Sequence, residues 1–255
     1  MIPYLDVGEF HLLGVRFHTF GLLVAIGVLL SHHVAGRRAK EVGLGPASTI
    51  DRLVLMVYTG GFVGGHMLDS VFYHPDVLRQ DWRELFMIHH GLSSFGGIVG
   101  ANVAGLAYLA VKRLDPWPYI DLCAYAFPFG WLFGRAGCAV VHDHPGRLTT
   151  SPLGVQFPGG ARFDLGLVEF ALTPLLIALV VVVGRRTRRP GVVAGALAVT
   201  YAAMRFPLDF LRATDLGPES DPRYAGLTPA QWACIAMLTL GAWMLSRTPR
   251  ESAQA

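Results

Sequence analysis

The chain has 255 residues, 53% of them hydrophobic and only 15% charged, with a formal net charge of +3. Soluble domains carry about 25% charged residues, so the deficit excludes an ordinary soluble domain and points to a one-domain, all-α polytopic membrane protein. The basic residues fall in short clusters between apolar runs and form no single patch, which excludes a nucleic-acid-binding protein. The three cysteines, Cys123, Cys138 and Cys234, form no CxxC, so neither a disulfide framework nor a zinc site is expected. The opening MIPYLDVGEF has no basic n-region and is not read as a cleaved signal peptide.

Seven apolar runs follow, each near the span length of about 17–25 residues. In order they are Phe17–Gly36, Leu53–Phe72, Leu92–Val111, Tyr119–Val141, Leu165–Gly184, Gly191–Leu211 and Pro229–Ser246. Seven transmembrane helices are therefore expected, within a single membrane-embedded domain over residues 1–255. Arg37, Arg38, Lys40 and Arg52 lie between the first two runs, Lys112 and Arg113 follow the third, Arg185 to Arg189 the fifth, and Arg247 and Arg250 the seventh. With seven spans all these clusters fall on one side, which the positive-inside rule makes cytoplasmic, leaving the N-terminus outside and the C-terminus inside. The opposite side holds longer loops, 73–91, 142–164 and 212–228, expected to form a small extracytoplasmic cap. Glycines crowd the second and third runs, where small residues let membrane helices approach closely.

Ionisable residues inside such runs are costly and point to function. The stretch FGRAGCAVVHDHPGR, from Phe133 to Arg147, places Arg135 at the mouth of the fourth run. Its flanking Gly134 and Gly137 suggest a close backbone approach or a break, against the alternative of an arginine that simply snorkels to the interface. In the sixth run Tyr201, Arg205, Asp209 and Arg212 fall on one helical face, with Arg205 and Asp209 in register to pair. Pro207 between them should loosen the helix. The pair is either a structural ion pair or a second cationic post facing the cavity of Arg135. Glu169, early in the fifth run, is expected to balance one of these arginines. His142, Asp143 and His144 have the residue types of a catalytic or metal trio, but consecutive residues rarely converge on one ion, so no metal is expected. Either histidine is a candidate general base, because imidazole moves its proton near neutral pH. Cys138 is read as a packing residue in preference to a nucleophile. Two guanidiniums suit a phosphate bound bidentately, and in a bilayer the nearest phosphates belong to lipid head groups.

These motifs resemble the prolipoprotein diacylglyceryl transferase family over most of the chain. GRAGCAVVHDHPGR, from Gly134 to Arg147, is similar to that family's GRxGNFxNGExxGR signature. YAAMRFPLDFLR at 201–212 resembles its YxxxRFxxEfxR segment, HGLSSFGGIVG at 90–100 its GGLSFHGGxxG element, and GLTPAQW at 226–232 its GLTxGQ. The chain departs from the pattern where the family's two asparagines are Cys138 and Val141, its two glutamates Asp143 and Asp209, its first-helix tyrosine Phe20, and the histidine of SFHGG Phe95. The resemblance implies transfer of a diacylglyceryl group from phosphatidylglycerol to the lipobox cysteine thiol of a prolipoprotein signal peptide. It implies that Arg135 holds the lipid phosphate, that Tyr201, Arg205 and Asp209 line the cavity, and that Gly146 shapes its rim. The expectation is a monomer in the bacterial inner membrane with no cofactor. The alternative is a phospholipid-binding relative that keeps the cavity and lacks the chemistry.

Overall fold

A computed structural model describes residues 1–5, 7–12, 14–73, 83, 93–217 and 222–247. The chain divides into two units, one comprising Met1–Ala35 with Ile120–Ala255, the other Gly36–Tyr119. Among the described residues there are seven α-helices, one for each expected apolar run: α1 (Thr19–Val42), α2 (Ala47–Tyr73), α3 (Ser94–Val111), α4 (Pro116–Val141), α5 (Leu165–Arg186), α6 (Val192–Leu208) and α7 (Pro229–Ser246). Three of the helical segments, Thr19–Val42, Leu165–Arg186 and Val192–Leu211, are long and apolar enough to cross a membrane by length and composition, so the protein is a multi-pass membrane protein. The run in α2 is diluted by glycines and by His66, Asp69 and Ser70.

The smaller unit is built on the pairing of α2 with α3. A Cβ on Gly64 would stand 2.6 Å from the carbonyl oxygen of Gly96 and 2.7 Å from the Cα of Gly100, so only glycine permits this approach. Ser93 caps α3 by accepting from the Gly96 N–H at 3.3 Å, and its own N–H donates to the Gly65 carbonyl at 3.1 Å. Most of the expected loop 73–91, with His89 and His90, lies outside the described residues.

In the larger unit the chain also forms short strands that the apolar runs did not foretell. β1 (Glu9–Leu12) and β2 (Val15–His18) make an antiparallel hairpin, turned at Gly14 with φ +78°. Between α4 and α5, β3 (Pro145–Leu148), β4 (Val155–Phe157) and β5 (Gly160–Asp164) form an antiparallel sheet in the order β3-β5-β4. Ile2 adds a parallel bridge to Val155. This sheet occupies much of the expected loop 142–164.

Helix ends in this unit are set by specific side chains. Asp121 of α4 accepts from the N–H groups of Gly191 and Ala194, both at 2.8 Å, and so caps α6 from outside. Thr228 and Gln231 form a reciprocal capping box at the start of α7, with Pro229 in the first turn. Leu176 and Val180 of α5 pack with Val193 and Leu197 of α6, and Tyr201 and Met204 lie against this cluster. One turn beyond it on α6 comes Arg205, so the ionisable residues begin where the apolar core stops.

Candidate active site

Glu169 is the pivot of the site. Asp164 accepts from the Leu167 N–H at 3.0 Å and starts α5, and the Thr173 hydroxyl donates to the Glu169 carbonyl at 2.7 Å. That places the Glu169 carboxylate between two guanidiniums: Arg135 Nε lies 3.1 Å from Oε2 and Arg205 Nε 3.5 Å from Oε1. Arg205 also reaches Asp209 Oδ1 through a terminal nitrogen at 2.7 Å, and Arg212 Nε lies 3.3 Å from the same oxygen. The remaining Asp209 oxygen accepts from the Thr228 hydroxyl. Arg135 and Arg205 are each 7% exposed, Glu169 5% and Asp209 1%.

Burying these charges costs several kcal/mol per ion unless each is paired, on the order expected for low-dielectric interiors. Pairing here is incomplete. Arg135 Nε and both Glu169 oxygens lack an aligned hydrogen bond, so their contacts are ionic only, and the Nη1 of Arg205 has no hydrogen-bond partner among the described residues. Arg135, Arg205 and Arg212 thus gather on the carboxylates of Glu169 and Asp209. Arg135 is held on its other faces. Its guanidinium lies 4.3 Å over the Trp131 ring, against whose edge Tyr201 packs, and an Nη1–H approaches Cys138 Sγ at 3.8 Å.

A narrow crevice, with room for about one water, opens on this cluster, lined by Trp131, Glu169, Thr173, Tyr201, Met204 and Arg205. A larger, open hollow of ≈ 620 Å³ lies over β3 and β5, lined by Arg147, Thr149, Thr150 and Phe163. Among the described residues lining that hollow Arg147 is the charged one, whereas the smaller crevice faces the charge cluster.

The structure thus brings together Arg135, Glu169, Tyr201, Arg205 and Asp209, with Arg212 joined through Asp209. Pro207 loosens α6 as expected: the helix gives way to a 3₁₀ turn at Asp209–Leu211, yet the Arg205–Asp209 pair survives it. The two glycines beside Arg135 differ. A Cβ on Gly137 would meet Phe20 Cδ2 at 2.7 Å, whereas Gly134 has nothing within 4 Å, so the close approach expected of both holds at Gly137 alone. At Gly146 a Cβ would stand 2.7 Å from the Leu211 carbonyl oxygen and 2.8 Å from that of Phe163. Gly146 therefore sits where β3 meets the segment after α6, and Arg162 strengthens the junction by donating to its carbonyl at 3.1 Å. Arg162 also forks onto Asp215 at 2.8 and 2.7 Å and holds that carboxyl below the usual carboxylate range.

The trio 142–144 divides. His142, with φ +52°, bonds through Nδ1 to Asp164, stacks on Tyr4 at 4.4 Å and meets Phe157 edge-on at 5.6 Å. It fastens the chain to the start of α5. Asp143 and His144 pair with each other and lie beside Cys138.

Sequence reasoning passed over Trp131, Asp164 and Thr228. Each had a signal: Trp131 lies four residues before Arg135, Asp164 opens an apolar run at an N-cap, and Thr228-Pro-Ala-Gln has capping-box spacing.

The chain matches the family described as prolipoprotein diacylglyceryl transferase over residues 8–247. It is similar to the phosphatidylglycerol–prolipoprotein diacylglyceryl transferase of Rhizobium leguminosarum bv. trifolii, at 29% identity over 98% of this chain and 94% of that protein. The proteins of the same name from Geobacter sulfurreducens and Actinobacillus pleuropneumoniae serotype 3 share 32% and 30% identity, over 84% and 96% of each chain compared. With a family match that runs nearly end to end and includes the arginine–carboxylate cluster, the chain belongs to the prolipoprotein diacylglyceryl transferase family.

Proposed function

We propose that the protein moves a diacylglyceryl group from phosphatidylglycerol to the lipobox cysteine thiol of a prolipoprotein. A diacylglyceryl transferase-type activity follows from the family; the donor and acceptor are the finer reading. The observation that carries it is the buried pair of guanidiniums held on either side of Glu169, with Arg205 Nη1 unpartnered. In this reading the narrow crevice opens further to admit the lipid phosphate, which takes hydrogen bonds from Arg135 and Arg205. The acceptor thiolate attacks the glycerol carbon, the carbon–oxygen bond to phosphate breaks, and glycerol phosphate leaves with the electron pair. The leaving phosphate gains charge as that bond breaks, so fixed guanidiniums stabilise the transition state more than the ground state. Asp209, fastened by Thr228, holds Arg205 in place, Trp131 does the same for Arg135, and Tyr201 lines the crevice between them. Asp143 and His144 form the rim that receives the thiol. The reading includes a monomer in the bacterial inner membrane with the basic clusters on the cytoplasmic side.

The test is thioether formation on a lipobox peptide added to purified protein and phosphatidylglycerol vesicles, read by mass. Wild type forms product, while Arg135→Ala and Arg205→Ala each lose about 10²–10³-fold in turnover, the scale of one removed transition-state donor. A second reading, a lipid-binding relative without chemistry, is favoured by the apolar or weakly polar side chains at Phe20, Cys138 and Val141. Folded wild type that binds the lipid through Arg135 and never yields thioether would establish that reading in place of the first.

A further inference from the structure

We propose that Cys138, Asp143 and His144 form a three-ligand site for a thiophilic divalent cation of the zinc class, whose fourth position takes the acceptor thiol. The second half rests on the transferase reading above and says how the rim handles that thiol.

The local fold builds this cluster. Cys138 lies in the last turn of α4 and is buried. His142 then turns the chain in a left-handed conformation, φ +52°, that non-glycine residues adopt uncommonly. Its bond to Asp164 and its stack on Tyr4 hold that turn in place. Consecutive residues rarely converge on one ion, the ground on which no metal is expected from the sequence, but this reversal returns both Asp143 and His144 to Cys138, so that one ligand atom from each of the three lies within 4.8 Å of the others. A tetrahedral ion with ligands at about 2.0–2.3 Å needs its ligand atoms roughly 3.5 Å apart. The side chains of Asp143 and His144 are 41% and 22% exposed, so small rotamer changes close the gap. Asp143 and His144 now share a hydrogen bond, and the cation would take the place of the shared proton.

The donor set selects the ion. A thiolate, a carboxylate and an imidazole suit zinc, and three protein ligands with one open position are the arrangement of sites that act on a bound molecule. The exposure of Asp143 and His144 puts the open position on the accessible side. Two negative ligands and a doubly charged cation sum to zero, so the site does not repel Arg135, whose Nη1 lies 3.8 Å from the same sulfur. A thiol that coordinates such a cation gives up its proton outright, here to solvent. The thiolate sulfur then forms the carbon–sulfur bond beside the phosphate site, and no protein base is needed.

Chelator-treated protein in detergent is titrated with Cd²⁺, following the ultraviolet sulfur-to-cadmium charge-transfer band. The expected result is saturation at one equivalent, competition by Zn²⁺, loss of the band in Cys138→Ser, and at least about tenfold weaker binding in His144→Ala. Cys123→Ser and Cys234→Ser keep the band. Absence of a band in wild type, or a band that persists in Cys138→Ser, overturns the site. In Co²⁺-loaded protein a lipobox peptide should intensify the sulfur-to-cobalt band while its serine counterpart does not, and equal spectra would overturn thiol coordination. These readouts involve no lipid, so the metal site can fail while thioether formation persists. Conversely, a metal-binding protein that never forms thioether sinks the transferase reading alone.

Discussion

Glu169 shows how much of this site rests on single side chains. It separates Arg135 from Arg205, and removing its charge leaves two buried guanidiniums facing each other with one counter-ion fewer. Breaking a buried pair in this way costs about 3–5 kcal/mol, and Glu169→Gln should lose that much in detergent unfolding. A melting temperature equal to wild type would mean that Glu169 does not offset the arginines. The two histidines of the 142–144 segment should behave differently. His142→Ala removes the bond to Asp164 and the stack on Tyr4, and should cost about 1–3 kcal/mol of stability. His144→Ala, at the exposed rim, should keep the melting temperature and lower turnover. Equal unfolding losses in both variants would erase the distinction between fastener and rim.

At the scale of elements, the pairing of α2 with α3 depends on which glycines face the partner helix. A Cβ on Gly64 would stand 2.6 and 2.7 Å from backbone atoms of Gly96 and Gly100, so Gly64→Ala forces the helices apart and should cost about 1–3 kcal/mol. Gly97 sits in the same glycine-rich stretch, but a Cβ there would be 3.5 Å from the nearest atom, the Gly61 carbonyl oxygen. Gly97→Ala should therefore be neutral or stabilising by up to about 1 kcal/mol through helix propensity. Thermal unfolding of the two variants side by side checks this, and equal effects would mean that the glycines act through chain flexibility and not through contact. The capping of α6 by Asp121 and of α7 by Thr228 follows the same logic, since each helix end near the charge cluster is held by one polar side chain.

Across the whole molecule, the ion pair Arg162–Asp215 joins β5 to the segment after α6, beside the contact of Gly146 with Leu211. The Asp215 carboxyl is lowered in the folded state by its hydrogen bonds from Arg162. An unfolded chain holds that proton up to about pH 3.9, so the pair contributes stability above that pH and loses it as pH falls through the lower folded value. Unfolding measured against pH should show a steeper acid loss in wild type than in Asp215→Asn, with the two curves converging in strong acid. Because the pair is exposed, added salt should reduce the difference. Parallel curves at every pH would remove this junction from the account.

Composition and periodicity determined the helices. Each apolar run became a helix, because a backbone in an apolar medium must bond within its own segment. The first helix nonetheless runs on past Gly36 to Val42, and the second begins at Ala47, six residues before Leu53. The Arg205–Asp209 pair was equally readable, since residues four apart on a helix are neighbours whatever surrounds them. Only the tertiary structure decided that one carboxylate, Glu169, stands between arginines 34 residues before it and 36 after it. It alone parted His142 from His144, and it set Cys138 against Asp143. The strands were too short for a period-2 pattern to register, at three to five residues each. Helix formation is a local competition between neighbouring backbone groups and their solvent. Charge pairing across helices depends on distances that exist only once the helices have packed.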